Sequence, residues 1–80
     1  MSDKASTLAI MRTQCAGLLA FAQNAQANLR RLGVEDRVAL EKAFDARKRD
    51  GQYGLADTLR VIIGASKKIY EASKEAEEAE

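Results

Sequence analysis

Apolar residues in the first two-fifths of the chain recur at alternating spacings of three and four. They occupy eight positions: Leu8, Met11, Cys15, Leu18, Ala22, Ala25, Leu29 and Leu32. This is the spacing of the a and d positions of a heptad repeat, which line one continuous seam along a helix. The pattern predicts a long first helix over residues 6–32. Ser2, Asp3 and Ser6 compete as its N-cap, and Gly33 is predicted to follow it in the left-handed conformation.

The first helix carries no charged residue between Thr13 and Leu29. A helix in the outer layer of a monomer normally shows a charged face to water. We therefore expect this helix to self-associate, with the first seven seam residues, Leu8 to Leu29, as the oligomer interface. The alternative is a solvated face of amides, formed by Gln14, Gln23, Asn24, Gln26 and Asn28.

Two further helices are predicted after the first. The second, over residues 35–50, has acidic residues in its first turn and a basic triplet in its last, as the helix dipole favours. The third, over residues 55–74, has one apolar face at helical spacing. Its acidic tail, residues 75–80, opposes the dipole and is expected to fray. The predicted fold is all-α: a single domain over 1–80, a small three-helix antiparallel hairpin or bundle that self-associates through its first helix.

The size of the chain also favours self-association. A domain of 80 residues buries only about 60% of the surface that its unfolded chain exposes, so an isolated monomer is marginally stable. Small domains compensate with disulfides, a metal or oligomerisation. Cys15 is the only cysteine and histidine is absent, so neither an internal disulfide nor a zinc site is expected. We predict no metal and no cofactor, and a homo-oligomer of unspecified subunit number.

The charge balance argues against nucleic acid as a partner. Thirteen basic residues stand against 12 acidic ones, a net charge of +1, whereas DNA-binding domains normally carry a basic excess. RNA or DNA binding through Arg30, Arg31, Arg37 and Lys42 is therefore a third possibility only. The longest apolar run is eight residues, and a membrane span needs about 20. We predict a cytoplasmic protein with a reduced cysteine.

The segment "RKRDGQYGLAD", residues 47–57, is interpreted first as a turn between helices. Gly51 fits the position after the second helix, and Gly54 fits the N-cap of the third. Asp57 then occupies the third helical position, where a carboxylate can meet free backbone amides. The basic triplet compensates the dipole at the end of the second helix.

The alternative for this segment is a ligand-binding loop. Arg47, Lys48 and Arg49, together with Tyr53, could bind an anion or a nucleotide. The motif is weak, because no G-K-[ST] follows it and no strand precedes it.

Catalysis is not expected, and no catalytic residue is assigned. Histidine, the commonest general base, is absent. Cys15 lies on the apolar seam, where a buried thiol is inert. Adjacent carboxylates such as Glu35 and Asp36 diverge by about 100° around a helix and do not converge on a substrate.

These observations predict a non-enzymatic, oligomeric interaction protein that binds and modulates or inhibits a protein partner. Small helical chains of this kind are common among phage- and plasmid-type regulators of host proteins. Phe44, Tyr53 and Tyr70 are the expected anchors, because aromatic residues dominate binding hot spots. The alternative function is an oligomer that sequesters a small anionic ligand such as a nucleotide, through Arg47, Lys48, Arg49 and Tyr53.

Overall fold

The computed structural model describes residues 3–79 and contains three helices. These are α1 (Asp3–Arg31), α2 (Val34–Arg47) and α3 (Leu55–Glu78), with no strand in the described part of the chain. α1 and α3 pack along their length, while α2 makes few contacts with α3. The prediction of a small all-α helical bundle is confirmed. Ser2, one of the three candidate N-caps, and residue 80, the end of the predicted acidic tail, lie outside the described residues.

The hairpin is formed by α1 and α3, which run antiparallel. Arg12 near the start of α1 donates from Nη2 to Glu77 Oε1 at 2.6 Å and from Nη1 to the Ser73 carbonyl oxygen at 3.4 Å. This pair also explains why α3 continues to Glu78, beyond the predicted end at residue 74. The guanidinium of Arg12, whose side chain is only 19% exposed, offsets the unfavourable position of the Glu77 carboxylate near a helix C-terminus.

The glycines differ in part from their predicted roles. Gly51 has a φ of 85° and is the only residue with positive φ among residues 3–79. Gly33 has a φ of −63° and is the N-cap of α2, not a left-handed residue. Gly54 caps α3 as predicted. α2 ends at Arg47, so the α2–α3 link spans residues 48–54 and is longer than the predicted two-residue connection.

One heptad row of α1 faces α3, and we call it the packing row. Its members are buried or half-buried: Ala5, Leu8, Arg12, Cys15, Leu19, Ala22, Gln26 and Leu29. Ala22 is the only buried apolar residue in the described chain, at 2% exposure. On α3 the buried positions are Ser66 and Ser73. Small residues therefore occupy the centre of the α1–α3 contact and permit close approach of the two helices.

Ser66 is buried without a hydrogen-bond partner. Its Oγ has none among the described residues, whereas Ser73 Oγ donates to the Tyr70 carbonyl oxygen at 2.8 Å. An unpaired buried hydroxyl costs about 1–3 kcal/mol. We expect Ser66→Ala to raise the free energy of unfolding by about 1 kcal/mol, measured by urea denaturation. Ser73→Ala is the matched control, because it brings the same gain in helix propensity but removes the hydrogen bond from Ser73 Oγ to the Tyr70 carbonyl oxygen. An equal effect of both substitutions would contradict the assignment.

None of the helices in residues 3–79 combines the length and apolar character needed to cross a membrane.

Candidate interaction surfaces

α1 carries a second heptad row beside the packing row, and we call it the open row. It contains no charged side chain: Thr7, Met11, Gln14, Leu18, Phe21, Ala25, Asn28 and, just beyond the helix end, Leu32. Phe21 is 74% exposed and Leu18 is 49% exposed. A surface helix ordinarily places its large apolar side chains in the core. Within the single chain, the side chains of Phe21 and Leu18 are not packed into a core.

α3 carries a corresponding uncharged row next to its buried serines. It consists of Thr58, Ile62, Ala65, Ile69, Ala72 and Ala76. Tyr70 shares a cleft with Ala16 and Leu19, on the side of α1 away from Leu18. Ile69 precedes Tyr70 by one residue, about 100° around the helix, and therefore flanks the Ser66–Ser73 line on the other side. The uncharged row of α3 thus lies beside the open row of α1.

The two uncharged rows together form what we call the open apolar face. At the end of the hairpin near α2 it deepens into a cleft of about 360 Å³. Residues from all three helices line that cleft: Ala25, Asn28, Leu29, Leu32, Leu40, Leu55 and Leu59. The open apolar face therefore runs from the start of the hairpin to α2 without a charged residue in either row.

The seam predicted from the sequence is divided between the two rows of α1. Ala22 is buried by α3 of the same chain, and Leu8, Cys15 and Leu29 are half-buried in the packing row. Met11 and Leu18 are exposed in the open row, and Ala25 is half-buried there. Ala22 is therefore not available to a second chain. Phe21, which the seam did not include, is the most exposed large side chain of the open row of α1. Ile69 is the exposed large side chain of the α3 row.

Two of the three side chains in the basic triplet at the end of α2 donate to backbone carbonyl oxygens. Arg47 Nη1 donates to the Ala43 carbonyl oxygen at 2.9 Å, and Lys48 Nζ donates to the Gln52 carbonyl oxygen at 3.2 Å. The Arg49 amide donates to the Gln52 side chain at 2.8 Å. Cations that hydrogen-bond helix-terminal and turn carbonyls stabilise those groups. This geometry favours the interpretation of the segment as a turn.

The three predicted aromatic anchors do not form one patch. Phe44 and Tyr53 line a cleft together with Gly51, Gln52 and Thr58, and Tyr53 is 61% exposed. Tyr70 lies about 22 Å from Leu55, the first residue of α3, measured along the helix at 1.5 Å per residue. There the Lys74 ammonium lies 5.7 Å from the centre of its ring. Only Phe44 and Tyr53 are close enough to act together.

The fold and these surfaces define a small helical-bundle protein whose hairpin is open on one apolar side. Comparison with known proteins adds no relative, since no protein-family model, no curated protein and no solved structure matches the chain.

Proposed function

We propose that the chain is a non-enzymatic interaction protein that acts as a homodimer. Two copies join through the open apolar face, and the surfaces that remain exposed bind a protein partner. The observation that carries the proposal is the pair of uncharged heptad rows on one side of the hairpin. In a four-helix bundle each helix contacts two neighbours and needs two such rows. In the single chain, α1 and α3 each use one row to pack against the other helix. The second, uncharged row of each helix has no helix packed against it.

The exposed surface of the chain supports a second copy as the occupant of this face. The chain exposes 6179 Å². A compact monomer of 8.7 kDa exposes about 4,700 Å², so the excess is roughly 1,400 Å². A standard interface buries about 800 Å² of each partner. The surplus is therefore large enough for a stable dimer interface.

Side-chain size also supports pairing between identical copies. The open row of α1 contributes the bulky Met11, Leu18 and Phe21, whereas the α3 row alternates the large Ile62 and Ile69 with the small Ala65 and Ala72. A two-fold symmetric interface is self-complementary, so each copy supplies both the bulky and the small residues. Large and small side chains on facing helices interdigitate well.

The surface proposed for a protein partner is the cleft formed by Phe44 and Tyr53. An exposed tyrosine beside basic residues has the composition of a binding hot spot. Binding there would modulate or inhibit the partner by occupying its surface, without chemistry. Such a mode of action is typical of phage- and plasmid-type regulators, the origin favoured by the size and composition of the chain.

The dimer is tested by sedimentation equilibrium and by thermal unfolding of the full chain over a range of concentrations. We expect a mass of twice the 8.7 kDa chain at micromolar concentration. The unfolding midpoint should rise with protein concentration, because association stabilises the folded state by mass action. A mass of one chain at every concentration, with a constant midpoint, would refute the proposal.

A further inference from the structure

Arginines from all three helices meet at one cleft. The cleft has a volume of about 480 Å³ and lies where the end of α1, α2 and the start of α3 come together. Arg30 comes from α1, Arg37 from α2 and Arg60 from α3, and Glu41 is the one acidic residue in the lining. The excess of positive charge is local, because the whole chain has a net charge of only +1.

Two of these arginines have no partner within residues 3–79. Arg60 Nη1 donates to Asp57 Oδ1 at 3.1 Å, but the side chains of Arg30 and Arg37 make no hydrogen bond or ion pair there. Arg37 is half-buried, and Glu41 lies one helical turn away in the same cleft without pairing to it. A guanidinium offers five N–H donors in a planar fork that suits the oxygens of carboxylates and phosphates. These two side chains therefore have unused capacity for an anion.

The backbone adds to the positive potential of the cleft. Ala56, in the first turn of α3, forms part of the wall. The first hydrogen bond of that helix runs from the Thr58 amide to the Gly54 carbonyl oxygen at 2.8 Å. The amides before Thr58 consequently have no intrahelical acceptor and lie at the positive end of the helix dipole. The remaining wall is formed by the apolar Leu29 and Val38 and by the polar Gln26.

We propose that this cleft binds a small phosphate-bearing molecule. Arg30 and Arg37 hold the phosphate by charge-assisted hydrogen bonds, while Arg60, which is paired with Asp57, lies at the rim. The apolar part of the ligand lies against Leu29 and Val38. A volume of about 480 Å³ is within the range of small-molecule pockets.

The anion site is separate from the basic turn and from the dimer interface. Arg47 and Lys48 already donate to carbonyl oxygens of their own chain. The arginine cleft and the apolar cleft share Leu29, but their other lining residues differ. Phosphate binding therefore does not depend on self-association, and each proposal can fail without the other.

The test is an NMR titration of the full chain with inorganic phosphate, and then with adenosine monophosphate and adenosine. Phosphate should shift the Nε–Hε signals of Arg30 and Arg37 along a saturating curve with a dissociation constant in the millimolar range. Tighter binding of adenosine monophosphate than of phosphate would identify an organic phosphate as the ligand. Equal affinities for adenosine monophosphate and inorganic phosphate would identify free phosphate as the ligand. Either result supports recognition of a phosphate group by the cleft. Adenosine, which lacks the phosphate, should leave both signals unchanged.

Matched variants decide whether the cleft is responsible. Arg30→Gln and Arg37→Gln should each weaken phosphate binding at least tenfold, whereas Arg49→Gln, in the basic turn, should leave it unchanged. Arg30 is exposed at a helix end, so its substitution does not threaten the fold. Shifts that do not saturate, or that persist in both cleft variants, would overturn the proposal. Sedimentation of the same samples reports the dimer independently.

Discussion

Leu18→Asp is expected to separate the proposed dimer into monomers and to raise its dissociation constant by at least about a hundredfold. Leu18 is central in the open row of α1 and 49% exposed in the single chain. In the dimer an aspartate there would bury a carboxylate without a partner, which costs several kcal/mol. A loss of about 2.7 kcal/mol already corresponds to a hundredfold change in affinity. Sedimentation equilibrium measures the change.

Ala20→Asp is the matched control for this experiment. Ala20 is exposed on the same helix, two residues from Leu18, and belongs to neither heptad row. The same charge at this position should leave the dimer mass unchanged. Dissociation by both variants would indicate a general effect of charge on α1, and dimers that survive Leu18→Asp would exclude the open apolar face as the interface.

Ala22→Glu is expected to unfold the hairpin rather than to dissociate folded chains. Ala22 is 2% exposed in the α1–α3 contact. Arg12 on α1 contacts Ser73 on α3. Because the helices are antiparallel, moving ten residues forward on α1 and ten back on α3 places Ala22 level with Ile63. A glutamate there would bury a carboxylate in a tight helix contact, and the expected cost exceeds about 3 kcal/mol. Because a chain of this size has little stability to lose, most of the helical circular dichroism should disappear at 25 °C.

Gln23→Glu provides the control for Ala22→Glu. It places the same carboxylate on the adjacent residue, which is exposed. Helicity and unfolding midpoint should remain close to those of the parent chain. Full helicity in the Ala22→Glu variant would contradict the α1–α3 packing. Helical monomers from Leu18→Asp and unfolded chains from Ala22→Glu would show that the open row mediates association and that the packing row holds the hairpin together.

The helices themselves are predictable from sequence, whereas the assignment of faces is not. Heptad spacing and the absence of proline are sufficient to indicate α1. The uncharged segment from Thr13 to Leu29, however, supplies apolar residues to two adjacent rows. Which row faces α3 depends on long-range contacts between the two helices, such as that between Arg12 and Glu77. Those residues are 65 positions apart, and no local pattern links them.

The arginine cleft is likewise not predictable from any local sequence pattern. The consecutive basic residues Arg47 to Arg49 are conspicuous in the sequence, but their contacts are local to the turn. Arg30, Arg37 and Arg60 are separated along the chain and converge only when three helices fold together. In the sequence, Arg30 and Arg37 indicated no more than a basic surface of the kind that binds nucleic acid.

The most direct test of the open apolar face is hydroxyl-radical footprinting of the full chain below and above the concentration at which it associates. Phe21 and Tyr53 are 74% and 61% exposed in the single chain, so both should be oxidised readily in dilute solution. At high concentration we expect the oxidation of Phe21 and Met11 to slow several-fold while that of Tyr53 stays constant. Oxidation of Phe21 at the same rate at both concentrations would contradict a dimer built on this face.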